Sequence, residues 1–149
     1  AVTSWQVQAL AAAAAKGISQ ANIPLRKGLI WLRGAARDDG GVAYHRGSPG
    51  RSEGLAALTA HTLMTSGQAF EGLPAIGRRL TVNLTAEDST ADCYRDCAKV
   101  MAFESAGDTA RAETVRDGMQ LRRQAGSQDP WEPIGGTLYT CAFTALAHK

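Results

Sequence analysis

Between residues 37 and 54 the chain gathers Asp38, Asp39, Tyr44, His45, Arg46 and Arg51 among glycines and serines. A carboxylate from Asp38 or Asp39 with the His45 imidazole could act as an acid and base, while Arg46 and Arg51 could hold an anionic group. The same stretch also reads as turn chemistry, because Asp39-Gly40 and Ser48-Pro49-Gly50 are turn formers and charged loop side chains are ordinarily solvated. Two further loops carry chemistry-bearing residues: 85–91 with Glu87 and Asp88, and 126–136 with Trp131 and Glu132. Tyr44 and Trp131 occupy comparable places after a helix and could stack on a ligand, or else pack on the helix they follow. Glu87, Asp88 and Glu132 are the carboxylates a carbohydrate-active cleft would have to use, with no spacing to single them out.

Several chemistries lack their residues. No G-x-S-x-G elbow is present, and neither Ser48 nor Ser52 has an evident base and orienting acid. No G-x-x-x-x-G-K-[ST] or G-x-G-x-x-G element offers a phosphate cradle. Three cysteines, Cys93, Cys97 and Cys141, are an odd number, and the first two would stack one turn apart on a helix. They read as buried thiols; a metal site with His148 would need tighter pairs and a full ligand set. The sequence therefore assigns no catalytic residue, no cofactor and no metal.

Composition narrows the class further. The 149 residues are 44% apolar, enough for one core, and 16 Lys and Arg against 14 Asp and Glu give a formal charge of +2. So small a net charge does not imply a nucleic-acid partner. The longest apolar stretch, near 9–15, is far short of the roughly 20 residues of a membrane-spanning helix, so a soluble protein is expected. The N-terminus lacks the charge and apolar order of a signal peptide yet begins at Ala1 rather than Met, as expected where preceding residues have been removed. Nothing separates a cytoplasmic from an exported chain.

The elements that must position these residues are all helical. Apolar spacings of three and four, with end signals, predict helices over 3–16, 22–36, 55–66, 74–84, 90–106, 108–124 and 138–148. Thr3 and Gln6 are spaced as a capping box, Pro24 falls in a first turn, and Asp108 is a good N-cap. No run alternates with period two, so no sheet is expected.

Glycines recur with these helices. Gly17, Gly67 and Gly107 follow the first helix of successive pairs, and Gly28, Gly77 and Gly118 lie 11, 10 and 11 residues further on. The odd helices are richer in apolar and small residues and the even ones in charge, which predicts inner and outer helices. His61, on a predicted inner helix, reads as a hydrogen-bonded interior group rather than a catalyst. Trp5 and Trp31 read as core, and Tyr94, Arg95 and Asp96 as residues able to line a central cavity with Tyr139.

Gly28-Leu29-Ile30-Trp31-Leu32, Asp39-Gly40-Gly41-Val42-Ala43-Tyr44 and Leu58-Thr59-Ala60, with Gln128-Asp129-Pro130-Trp131 and Gly135-Gly136-Thr137-Leu138-Tyr139-Thr140 near the end, resemble the repeats of squalene cyclases and protein prenyltransferase β subunits. The resemblance implies a single all-α domain over 1–149, a partial α/α toroid with repeats at about 3–54, 55–89 and 90–137 and a final helix at 138–148. It also implies a central cavity, which in that family holds an isoprenoid and here would be shallow because only part of its wall is present. The D-x-D-D acid motif and the zinc constellation of that family are absent, the nearest acidic pair being Asp38-Asp39 in a loop.

The expected function is a non-catalytic helical-repeat module that binds a partner or small apolar ligand; the alternative is a divergent terpenoid cyclase or prenyltransferase-like enzyme within a larger assembly. The candidate ligand-binding residues are Asp38, Asp39, Tyr44, His45, Arg46, Tyr94, Trp131 and Tyr139. Trp5, Val7 and Leu10 at one end, with Tyr139, Phe143 and Leu146 at the other, show little capping character. Self-association or a neighbouring domain of a longer protein is therefore expected.

Overall fold

The computed structural model describes residues 2–43, 52–87 and 92–126, which form six helices: α1 (Val2–Ala15), α2 (Asn22–Ala35), α3 (Glu53–Thr65), α4 (Leu73–Val82), α5 (Cys93–Ala106) and α6 (Thr109–Gln124). The protein is all-helical over these residues, and its one β-type pairing is an isolated bridge between Ala36 and Val42. The expected helix at 138–148 and the end of the third repeat lie outside the described residues.

Helix starts follow side-chain chemistry. Ser52 Oγ accepts from Leu55 N at 3.3 Å, Asp92 Oδ1 from Arg95 N at 2.9 Å and Asp108 Oδ1 from Arg111 N at 3.1 Å. Each satisfies an amide with no partner inside its own helix. These caps start α3 two residues earlier than apolar spacing suggests and α5 three residues later. The expected Thr3–Gln6 capping box does not form, because α1 is already helical at Val2 and Thr3 lies inside its first turn.

Three hairpins result, α1 with α2, α3 with α4 and α5 with α6, and α3 packs extensively on α5. Ten of the thirteen residues of α3 and eight of the fourteen of α5 are buried, against three of fourteen in α2 and two of sixteen in α6, so α3 and α5 form the interior. By contrast α1, expected with them as an inner helix, buries only Ser4 and Val7 among its described side chains. A helix such as α3, apolar on every side, is stable only when surrounded. α2 buries Leu25, Leu29 and Leu32 on one stripe, which leaves Trp31 48% exposed rather than in the core. Trp5 is half-buried, and Val7, expected at an unpaired edge, is 1% exposed against α2.

The recurring glycines divide into different roles. Gly17 and Gly107 end their helices in the left-handed region at φ 84° and 78°, whereas Gly67 has no positive φ and Gly72 takes that conformation at 79°. Gly67 is instead required by space, since a Cβ there would lie 2.4 Å from Leu63 O. Gly28 and Gly77 share one function: added Cβ atoms would come 2.5 Å from Val7 Cγ2 and 2.8 Å from Ala60 O, so each marks where an outer helix touches the inner one before it. Gly118 meets only Arg122 of its own helix.

Gly77→Ala should therefore lower the melting temperature, costing about 1–3 kcal/mol through overpacking, because the added methyl would meet the Ala60 carbonyl, which cannot swing aside, as well as Met64 Cγ. Gly34→Ala, with nothing within 4 Å, should instead stabilise by up to about 1 kcal/mol through helix propensity. Thermal denaturation of both variants checks the contrast.

Candidate functional site

The described ends of the loops after α2 and α4 meet where Gly40 approaches Asn83, close to a network of buried charge. Lys99, with its side chain 0% exposed, places Nζ 2.5 Å from Glu53 Oε2 and donates to Thr85 Oγ1 at 3.3 Å. Thr85 in turn donates its N and Oγ1 to Glu53 Oε1 at 3.2 and 2.9 Å. One turn earlier on α5, the Asp96 side chain is 3% exposed and meets Arg122 Nη2 at 2.5 Å and Arg95 Nε at 3.2 Å. Glu53 belongs to α3, Thr85 to the chain after α4, Lys99 and Asp96 to α5, and Arg122 to α6, so the network ties three helices and a loop together.

Desolvation and pairing compete at both acids. Burial would raise the Glu53 carboxyl, but the Lys99 and Thr85 hydrogen bonds and the Lys99 charge outweigh it and hold it below the usual range. At Asp96 burial prevails over Arg95, Arg122 and Lys99 and keeps the carboxyl above the usual range. Such pairs return little net stability over an apolar substitute, yet removing one partner strands the other.

The Asp-Gly turn lies at the same end. Gly40, at φ 79°, packs where an added Cβ would fall 2.1 Å from Asn83 Nδ2, two residues before Thr85. Asp39 accepts from Gly41 N through Oδ1 and from Arg37 Nη2 through Oδ2, both at 2.9 Å, closing an Asx-type turn. Asp38 is 98% exposed and lies 3.2 Å from Arg79 Nη1 on α4. Tyr94 is half-buried against the start of α3, where a Cβ on Gly54 would be 3.2 Å from its Cε1. Tyr44, His45, Arg46, Trp131 and Tyr139 lie outside the described residues, as do Arg51, Asp88 and Glu132. Asp96, expected to face a cavity, is buried in its ion pairs instead.

Sequence reasoning passed over Lys99, Glu53, Thr85 and Arg122. The available signal was a lysine within Cys97-Ala98-Lys99-Val100-Met101-Ala102-Phe103, the one charge in an otherwise apolar run. A charge placed so on an inner helix demands a buried partner.

His61 is the interior group its position suggests. Its Nδ1 lies 2.8 Å from Ser105 Oγ and 3.2 Å from Met101 O, and Ser105 Oγ donates to the same carbonyl at 2.8 Å. With the hydroxyl proton committed, Nδ1 must carry the donated hydrogen and Nε2 is the bare nitrogen. Burial lowers the His61 pKa against the Met101 carbonyl and the Glu104 charge. The unfolded chain therefore binds a proton more readily, and stability present above the ordinary value of 6.5 is lost as pH falls through the folded value. His61→Asn, which keeps a donor near the Nδ1 position, should flatten the decline in melting temperature below pH 6.5.

Cys93 and Cys97 are buried thiols outside any disulfide, and burial, with Asp96 and Glu104 nearby, pushes Cys97 up to about 12, which makes it a poor nucleophile. Among the described residues no group of His, Cys, Asp and Glu could hold a metal ion, and no helix is long and apolar enough to cross a membrane. An apolar groove of about 540 Å³ opens between α1 and α2, lined by Thr3, Gln6, Val7, Leu10 and Pro24.

No family model matches the chain, and neither a curated protein nor a solved structure gives a match.

Proposed function

We propose that the chain is a non-catalytic helical-repeat module, built as part of an α/α toroid, that binds a partner or a small apolar ligand through its loop-bearing end and inner helices. The observation that supports this reading most directly is the use made of charge at that end. Glu53, Lys99 and Asp96 are spent on one another and on Arg95, Arg122 and Thr85, cross-linking α3, α5 and α6, an arrangement suited to rigidity rather than proton transfer. The interior position of α3 and α5, and the resemblance of the glycine and aromatic motifs to toroid repeats, support the architecture.

The test is to incubate the protein with isoprenoid diphosphates and Mg²⁺, and to repeat it with Asp38→Asn and Asp39→Asn combined. No turnover, with saturable binding of an isoprenoid by the wild type or formation of a defined oligomer in light scattering, supports the module. Turnover that the double variant loses would overturn it in favour of a divergent cyclase or prenyltransferase-like enzyme. A monomer that binds no isoprenoid would remove both proposed roles.

A further inference from the structure

The outward face of α2 is built unlike that of an ordinary solvated helix. Ile23 and Ile30 are 70% and 60% exposed, and Trp31 is 48% exposed. At 3.6 residues per turn, Ile23 and Ile30 stand about 20° apart around the axis, on the side away from the buried Leu25, Leu29 and Leu32 stripe. Arg26 and Arg33 flank this pair on one side, with Lys27 and then Trp31 on the other, and all three cations are exposed. None of the three forms an ion pair with another described residue.

The charge is segregated along the chain as well. Residues 1–37 contain five Lys and Arg and no Asp or Glu, so all fourteen acids lie beyond them despite a net charge of only +2. Lys16 and the 51%-exposed Ile18 extend the same chemistry into the α1–α2 turn.

We propose that this face of α2 docks on an anionic lipid surface, lying in its plane with Ile23 and Ile30 inserted among the acyl chains. Arg26, Lys27 and Arg33 would meet headgroup phosphates, and Trp31 would sit at the water boundary. The surface is a convex ridge, which a deformable lipid layer accommodates without any matching cleft. A polyanion such as nucleic acid is disfavoured because the two isoleucines at the centre would displace hydration water from its phosphates and offer no hydrogen bond in return. At 14 residues α2 is too short to span a bilayer, so the docking is peripheral. This inference is independent of the toroid reading.

Co-sedimentation with vesicles of phosphatidylcholine alone, and of phosphatidylcholine with phosphatidylserine, tests it. Binding to the anionic vesicles should be roughly a hundred-fold tighter and should weaken with salt, and Arg26→Gln, Lys27→Gln and Arg33→Gln combined should abolish the preference. Ile23→Ser with Ile30→Ser should weaken anionic binding about ten-fold while leaving its salt dependence. These positions are exposed, and unchanged melting temperatures confirm that each variant is folded; the single variants Lys27→Glu and Ile30→Ser repeat both arms if a combined variant melts early. Equal binding to both vesicles, or anionic binding that survives the triple charge variant, would overturn the proposal. So would a serine pair without effect together with comparable binding of duplex DNA, which would assign the face to polyanions.

Discussion

Lys99→Ala is expected to cost about 3–5 kcal/mol, because it empties the space of one of the largest fully buried side chains and also leaves the Glu53 carboxylate, 32% exposed, without its neutralising ammonium. The loss should exceed that of Asp96→Asn, which preserves shape and removes a carboxylate that burial already disfavours, while Arg95 and Arg122, at 16% and 15% side-chain exposure, keep some access to water. Lys99→Met, apolar and of similar length, with Glu53→Gln should recover much of the deficit, since a buried ion pair is frequently matched by apolar packing. Chemical denaturation of the single and double variants, assembled as a cycle, reads the coupling directly. Equal and additive small effects would mean that water reaches Lys99.

The pair also has a pH signature. Glu53 is held below the ordinary carboxylate range, so its contribution is complete above the unfolded value of 4.5 and is lost as pH falls through the folded one. Acid should therefore weaken the protein in two stages, first through His61 and then through Glu53, and His61→Asn should remove the first alone.

Phe103→Ala is expected to match Lys99→Ala in size, at about 3–5 kcal/mol, from the cavity left by a large fully buried ring. The ring also supports the Arg111 guanidinium, whose centre lies 4.4 Å from the ring centroid. Arg111 bonds Asp108 Oδ2 at 2.6 Å through Nε and reaches Thr81 O and Leu84 O at 3.1 and 3.4 Å through Nη1, so it caps the carbonyl end of α4 from the start of α6. Phe103→Leu should cost less by refilling part of the space, whereas Arg111→Met should cost less than Phe103→Ala and chiefly loosen the α4–α6 junction. Thermal denaturation with hydrogen exchange at Thr81–Leu84 separates cavity from cap.

Six helices were legible in the sequence to within a few residues because each has a periodic apolar stripe and a polar or glycine stop. The errors have local causes. Sequence predicts a cap at Thr3 because the Thr-x-x-Gln spacing is the same whether the helix starts before or after it. Helical spacing beside Leu29 predicts Trp31 in the core, yet the i, i+4, i+7 leucines of α2 define the buried face. The glycine register was partly informative: Gly28 and Gly77 do mark interhelical contact, while Gly118 matches them in spacing without sharing their surroundings.

The site was less legible than the fold. Asp38 and Asp39 drew notice because carboxylates in a glycine-rich loop look reactive, and Asp39 is engaged in shaping its own turn. Lys99 and Glu53 lie 46 positions apart in sequence, and only the packing of α3 on α5 brings them together. No local pattern encodes that pairing; a charge amid apolar residues signals merely that a counter-charge must exist somewhere.

The first hairpin meets the rest of the molecule through a thin seam. Gln8 Nε2 donates to Thr62 Oγ1 at 2.9 Å across it, while the buried Ser4 hydroxyl of α1 and Thr59 hydroxyl of α3 make no hydrogen bond. Two desolvated and unanswered hydroxyls subtract from cohesion at this seam. Amide protons of α1 and α2 should consequently exchange through a subglobal opening that leaves α3 to α6 closed, and the two parts of the chain would unzip in sequence under load instead of all at once.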